Sequence, residues 1–449
     1  MPSRRTRVLV PAGALGLGWD ADALAAGVAA GPELIAIDGG STDSGPSYLG
    51  RGVSKYARAQ IKADWAELID ARAAAGCPLV IGTAGTCGAG PAVDWMRDIT
   101  RELLAERGLR ARIAALYCDR DPDRLAAAWD RVTPLPGAPD ATPDDVRACS
   151  HVVALAGVEQ VQAALATGAE IVICGRTTDT ALIAALPIAR GTDPGAAWHG
   201  AKIGECGALC CSHPWSGTIL LDFEADAVTV TPMAAAAAAT PRSVAAHMLY
   251  ENADPLRLAE PGGMLDVSDA RYEALDPRRV RVAGAVWRPG PYAVKLEGAR
   301  LAGHGAMALA TIRDRDTIAE LDAWCDSLLA EARRRVAARL GSVAYRMALR
   351  RIGVDATLGA AEARRAAPVE AGVMLRVLAA DPETALEVAR VVNPLLLHHS
   401  ADPAAPMPTF AFPLSPPEVA TGPAYEFVLH HVLALDDPMD GFRLEVVDG

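Results

Sequence analysis

Ile35–Asp43 reads IAIDGGSTD, Leu79–Gly90 reads LVIGTAGTCGAG and Ile171–Asp179 reads IVICGRTTD. Each stretch runs an apolar segment straight into a loop of glycines, hydroxyls and charged side chains. A strand buried on both faces is a near-continuous run of Val, Ile and Leu, and glycines at its carboxyl end let backbone amides come close to a ligand. In an open parallel sheet such loops ring the crevice where small molecules bind. The repetition therefore predicts one site at the carboxyl edge of one sheet.

Working outward, Arg7–Ala12, Glu33–Asp38, Pro78–Ile81, Arg112–Cys118 and Glu170–Cys174 read as strands. They alternate with helices over Ala23–Ala30, Ser54–Gly76, Asp94–Gly108 and Val158–Gly168. This rhythm predicts an α/β fold with a doubly wound, mostly parallel, Rossmann-like sheet. Pro134, Pro136, Gly137 and Pro139 make Thr133–Thr142 a loop excursion. Past Cys211 the pattern changes to a hairpin over Thr218–Phe223 and Ala227–Thr231, short strands, and long helices at Asp316–Leu340 and Pro382–Leu396, an α+β arrangement. At about 100–200 residues per domain, 449 residues suggest two or three domains, and two is the expectation. The expected division is an α/β ligand-binding domain over residues 1–215 and an α+β domain over 216–449 that closes the site.

Forty-three basic against 55 acidic residues give a net charge of −12, which disfavours a nucleic-acid partner. No apolar run approaches the ~18 residues that cross a bilayer. Nine cysteines without a CxxC pair, in a chain whose start reads as strand and loop rather than secretory signal, predict reduced thiols and a cytoplasmic location.

Several stretches carry chemistry. In DGGSTD, Asp38, Ser41, Thr42 and Asp43 suit a cation, a water or a substrate hydroxyl; the alternative is a set of local side-chain turns. Gly82–Gly90, with Gly85, Thr86, Cys87 and Gly88, follows a strand and leads into a helix. It is either a backbone cradle for a carboxylate or phosphate or a tight packing turn, and it is neither a dinucleotide fingerprint nor a Walker loop. Cys87, close to that helix start, is a candidate thiolate. In GRTTD, Arg176 offers a planar fork for a carboxylate, and Thr177 or Asp179 either meets the substrate or caps the next helix. Glu205 in KIGECG is an acid/base candidate or a structural carboxylate. Thr240 and Pro241 open a helix that places His247 and Glu251 on one face, for a metal, for proton transfer, or for a hydrogen-bonded structural histidine. Lys295 and Glu297 share one strand face, as a catalytic pair or a simple ion pair.

Taken together, IAIDGGSTDSGPSYLGRG, GTAGTCGAG, ICGRTTD with LPIARGTDPG, KIGECGA, SVAAHMLYENADPLRLAEPGG and YAVKLEGA resemble the motifs of the acyclic terpene utilisation (AtuA) family. The resemblance covers about residues 8–310, and FPLSPPE at Phe412–Glu418 extends it. It implies a bacterial catabolic setting with branched acyl-CoA or carboxylic acid intermediates. By matched motif it carries across Asp38, Ser41, Thr42, Asp43, Arg176, Asp179, Glu205, His247, Lys295 and Glu297.

The resulting expectation is a lyase or hydratase working by acid/base chemistry on a small carboxylate or acyl-CoA thioester. Asp43, Glu205, His247 and Lys295 are the expected catalytic groups. Asp38, Ser41, Thr42, Gly85, Thr86, Cys87, Gly88, Arg176, Thr177, Asp179 and Glu297 are expected to bind substrate. No cofactor is expected, with a divalent metal as the alternative, and the partners expected are the small-molecule substrate and further copies of the chain, with no nucleic acid and no membrane. A hydrolase or isomerase on the same site, or a non-catalytic acyl-CoA or carboxylate-binding subunit, is the alternative reading.

Overall fold

Five of the apolar runs form the parallel centre of a ten-stranded sheet. Thr6–Val10, Leu34–Asp38, Leu79–Gly82, Ile171–Cys174 and Arg112–Tyr117 lie side by side in that order, each parallel to its neighbour. Alternation along the strands feeds two cores. Val8, Leu34 and Ala36 pack with Val161, Leu182 and Trp198, whereas Leu9, Ile35 and Ile37 pack with Ile61, Trp65 and Met96. Helices Val158–Ala166, Asp179–Ala189 and Pro194–Gly204 supply the first core; Arg58–Ala75 and Gly90–Arg107 supply the second. Buried Trp65 ties the last two helices together, its indole N–H donating to Thr100 Oγ1 at 2.9 Å.

The computed structural model describes residues 5–364, 368–400, 404 and 410–449, so Met1–Arg4 of the basic start lies outside the described residues. The chain divides into two compact units, one running up to Arg300 and including Phe427–Gly449, the other Leu301–Glu426.

The sheet as a whole is mixed, which corrects the expected doubly wound parallel sheet. Ile219–Phe223 pairs antiparallel with Thr6–Val10 over five residues, and Ala227–Pro232, Val280–Ala283 and Arg271–Ala274 extend the sheet further. At the opposite edge Arg443–Asp448 pairs antiparallel with Arg112–Tyr117. The physical reason is edge satisfaction. A parallel core leaves unpaired N–H and C=O groups along both outer strands, and the expected hairpin and the chain's end cover them. Residues 215 and 216 lie in the 3-10 turn Pro214–Ser216, inside the first unit and just before the strand Ile219–Phe223.

The Thr133–Thr142 excursion begins with the short strand Val132–Pro134, which pairs with His431–Leu433. Cys149–Ala154 pairs antiparallel with Leu296–Arg300, setting Glu297 opposite Val153. In the second unit, His304–Ile312 pairs with Ala371–Ala379, which pairs with Tyr345–Ile352. Helices Leu321–Leu340 and Pro382–His398 pack on this sheet through Leu328, Val336, Val388 and Leu395. The single helix expected over Asp316–Leu340 is two, Arg315–Ala319 and Leu321–Leu340, because Glu320 leaves helical geometry at φ −110° and ψ 28°. Among the described residues no helix is long and apolar enough to cross a membrane, and no disulfide links any of the nine cysteines.

Candidate functional site

The three glycine-rich loops lie next to one another at the carboxyl ends of their parallel strands. Backbone hydrogen bonds zip them together: Gly39 N–H donates to Gly82 O at 2.8 Å, Thr83 N–H to Gly175 O at 2.9 Å, and Arg176 N–H to Gly88 O at 3.1 Å. Two glycines make this approach possible. A Cβ on Gly39 would sit 2.6 Å from Thr83 O, and one on Gly88, where φ is +65°, would sit 2.3 Å from Arg176 N.

Beneath the loops lies a closed ionic node. Buried Arg176 donates from Nε to Glu297 Oε2 at 2.9 Å, from Nη2 to Glu297 Oε1 at 3.2 Å, and from Nη1 to Thr83 Oγ1 at 3.2 Å. Thr42 donates its hydroxyl to Glu297 Oε2 at 3.0 Å, and Lys295 Nζ donates to Glu297 Oε1 at 3.1 Å. Burial alone would raise the Glu297 carboxyl, yet Arg176 and then Lys295 hold it down at about 2. The guanidinium fork expected to grip a substrate carboxylate is thus committed to an internal one. Thr42 and Glu297 belong to the same node, and Lys295 with Glu297 forms the ion pair rather than facing the other candidates. Lys295 lines a separate cavity of about 570 Å³, together with Thr178 and Glu260.

Above the loops, a cleft of about 430 Å³ opens in the first unit. Asp38, Gly40, Ser41, Asp43, Asp179 and Cys206 line it, with Lys55, Tyr56, Leu209, Trp215, Tyr250 and Glu251 around them. Asp38 is buried; its Oδ2 accepts from Gly40 N–H at 2.9 Å, and its Oδ1 has no partner. Burial first, then the negative charge of Asp179, pushes the Asp38 carboxyl well above the usual range. Burial raises Asp179 too, against the pull of Arg176 and Lys202. Thr178, not Thr177 or Asp179, caps the helix Asp179–Ala189 by accepting from Ala181 N–H. That leaves the Asp179 carboxylate for the cleft, whereas Thr177 is fully buried with its hydroxyl unpartnered. Asp43 is exposed at the cleft's mouth, and its own N–H donates to Ser41 Oγ at 3.0 Å, a local side-chain turn.

The Gly82–Gly90 loop takes no part in the cleft's lining. Thr83, Thr86, Gly88 and Gly90 donate their amides to Gly175 O, Thr83 O, Ala84 O and Asp119 Oδ1 respectively, so the cradle expected of Gly85, Thr86 and Gly88 is a packing turn. Cys87 is fully buried against Leu49, Ala92, Val153 and Ala299, and burial pushes its thiol up to about 11, the opposite of an activated thiolate.

A second polar group borders the cleft through Cys206. Glu205, Cys206 and His247 each offer a ligand atom, and the three atoms lie within 4.8 Å of one another. Lys202 Nζ donates to Glu205 Oε1. Burial pushes Glu205 up to about 8 despite Lys202, and burial followed by the Lys202 charge lowers His247 to about 4, so the ring is neutral at pH 7. The helix that carries His247 is shorter than expected: Thr240 caps Pro241–Ala246, His247–Leu249 is a 3-10 turn, and Glu251 has φ +57°. Glu251 therefore does not share a helical face with His247, and the histidine instead stacks on Tyr250 with centroids 5.6 Å apart and planes at 19°.

The structure thus gathers Asp38, Ser41, Asp43 and Asp179 in the cleft with Glu205 and His247 behind Cys206, and places Thr42, Arg176, Lys295 and Glu297 in the node below. Sequence reasoning passed over Lys55, whose ammonium donates to Ser44 Oγ at 2.9 Å and stands 5.0 Å from the Tyr56 ring centroid. It also passed over Glu260, which burial pushes up to about 7, and noted Cys206 without giving it a role. Of these only Cys206 carried a local signal, its position beside Glu205 between two glycines.

No curated protein and no solved structure matches the chain. The model of the family described as acyclic terpene utilisation family protein AtuA matches residues 56–212 and 224–412, most of the length. Matched over well more than half of its residues, this chain belongs to the acyclic terpene utilisation family.

Proposed function

We propose that the protein is a lyase that adds or removes water at a small carboxylate or acyl thioester, with Asp38 and Asp179 moving the protons. The observation that carries this reading is the pair itself: two carboxyl groups on one cleft, each driven toward its protonated form by burial and Asp38 further by the charge of Asp179. Two such groups hold one proton more readily than none, which supplies an acid and a base at neutral pH. In dehydration the ionised member takes a proton from the carbon next to the carbonyl. The protonated member gives its proton to the departing hydroxyl, water leaves, and a proton passing between the carboxyls restores the starting state.

The surroundings fit that substrate class. Lys55 at the rim offers a cation to the anionic end, and Leu17, Leu209 and Trp215 offer an apolar border to an acyl chain. A branched chain is the kind the family's description suggests.

The test is turnover of a panel of hydroxy- and enoyl-acids and their CoA esters by the purified chain, with Asp179→Asn beside it. Hydration or dehydration that Asp179→Asn abolishes while substrate still binds supports the assignment. Binding without turnover across the panel points instead to a carboxylate- or acyl-CoA-binding subunit.

A further inference from the structure

The wall behind the cleft carries donors that the proposed proton transfer does not use. We infer that Glu205, Cys206 and His247 bind a divalent metal ion of the zinc class at the edge of the cleft.

The donor chemistry is the first support. Carboxylate oxygen, thiolate sulfur and imidazole nitrogen together suit Zn²⁺, and three protein ligands leave a fourth position for water or substrate. The three atoms lie within 4.8 Å of one another. Bonds of about 2.0–2.3 Å to a tetrahedral ion set ligand atoms roughly 3.4–3.8 Å apart, so small side-chain rotations complete the set.

The second support is independent of the cluster's composition. His247 is only 5% exposed, and its Nε2 is buried without a hydrogen-bond partner. Buried ring nitrogens are ordinarily satisfied, and an ion supplies the missing partner. Tyr250 stacked on the ring fixes its plane, as the surroundings of a ligating histidine usually do.

Lys202 is the apparent objection, because its ammonium already holds Glu205. Charge balance answers it. Glu205 and a thiolate at Cys206 carry two negative charges, which one divalent ion matches while Lys202 stays on Glu205. Lys202 on one carboxylate oxygen then orients the other, the usual role of an outer partner. Binding sends the Cys206 proton to solvent, so no redox partner is required.

The experiment uses the full chain, purified without chelators or a metal-affinity tag, dialysed, and analysed for metal. It is then emptied and titrated with Zn²⁺ and separately with Co²⁺ as a spectroscopic probe. Expected are about one equivalent of tightly held metal and a Co²⁺ form with thiolate charge-transfer absorption. Cys206→Ser should abolish that absorption, and His247→Asn should weaken Zn²⁺ binding by about a hundredfold or more. Circular dichroism of each variant separates loss of the site from loss of the fold, and the unsubstituted chain alone suffices to refute the idea. A folded chain that takes up neither ion stoichiometrically, or a Co²⁺ spectrum unchanged by Cys206→Ser, overturns the inference. Failed metal uptake with turnover intact removes this site and leaves the Asp38–Asp179 chemistry standing; metal uptake with no turnover does the reverse.

Discussion

Two groups of buried charges sit within one unit of this molecule and have opposite fates. Around Arg176, every oxygen of Glu297 has a donor, and the carboxylate stays ionised down to about 2. Around Asp38 and Asp179, the carboxyls outnumber the cations, atoms such as Asp38 Oδ1 and Glu260 Oε2 lack partners, and burial pushes the protons on. Satisfied ion pairs hold loops in place; unsatisfied carboxyls facing a cleft are poised to exchange protons. The same loops contribute to both, so one arrangement anchors and the other is left to react.

The largest effect that sharpens this contrast is on rate. Asp38→Asn and Asp179→Asn should each lower kcat by about 10²–10⁴. Their unfolding free energies should stay within about 1 kcal/mol of the parent, because an amide replaces a carboxyl that burial already disfavours as an ion. Steady-state kinetics and urea unfolding on the same preparations decide it. Large destabilisation with unchanged kcat would place these residues with the anchoring group.

Arg176→Met should behave in the opposite way. It strands Glu297 as a buried charge with only Lys295 beside it, and breaking a buried pair from one side costs about 3–5 kcal/mol. Arg176→Met with Glu297→Leu should recover most of that loss, since replacing both partners avoids the uncompensated charge. Chemical denaturation of the two variants measures the difference.

The two groups also respond to pH with opposite sign. Glu297 is more acidic folded than its ordinary 4.5, so its stabilisation is complete above that value and is lost as pH falls toward about 2. Glu260 has a folded value of about 7 against 4.5, so its contribution is present below 4.5 and is lost as pH rises through about 7. A group that changes by one proton contributes a slope of about 1.4 kcal/mol per pH unit. Unfolding free energy measured across pH should therefore lose part of its acid-side slope in Glu297→Gln and part of its neutral-side slope in Glu260→Gln. A neutral-side slope unchanged in Glu260→Gln would mean that this carboxyl is ionised in the folded protein.

How far all this was readable in the sequence follows from how local each signal is. The five central strands and their helices were legible because apolar runs and helix caps act within a few residues; Thr240 and Pro241 open their helix as the residues dictate. The gathering of the glycine loops was legible for the same reason. The pairing of Arg176 with Glu297 joins residues 121 positions apart, and no pattern near either reveals it. Once that bond forms, Arg176 has no free fork for a ligand. Cys87 looked reactive from its place before a helix, but reactivity depends on the apolar packing of Leu49, Val153 and Ala299, which arrives from three other segments. The antiparallel edges escaped notice because the hairpin at Ile219–Phe223 reads identically whether it begins a new sheet or finishes an old one. The helix expected to carry Glu251 stops at Ala246, and Tyr250 is already extended with no glycine nearby to announce the break.

The smallest predicted effect lies at the cleft's edge, where neither group of charges reaches. Trp215 is 94% exposed and lines the cleft from the Pro214–Ser216 turn. A side chain this exposed adds little to folding, so Trp215→Ala should alter unfolding free energy by no more than about 0.5 kcal/mol. If it borders the acyl chain, its removal takes away apolar contact from long substrates alone. KM for a long branched acid should then rise about tenfold, roughly 1.4 kcal/mol, while KM for a short acid and kcat for both stay near their parent values. An equal rise for short and long acids would move Trp215 from chain recognition to the shape of the reacting end, and would draw the boundary between the apolar rim and the carboxyl floor differently.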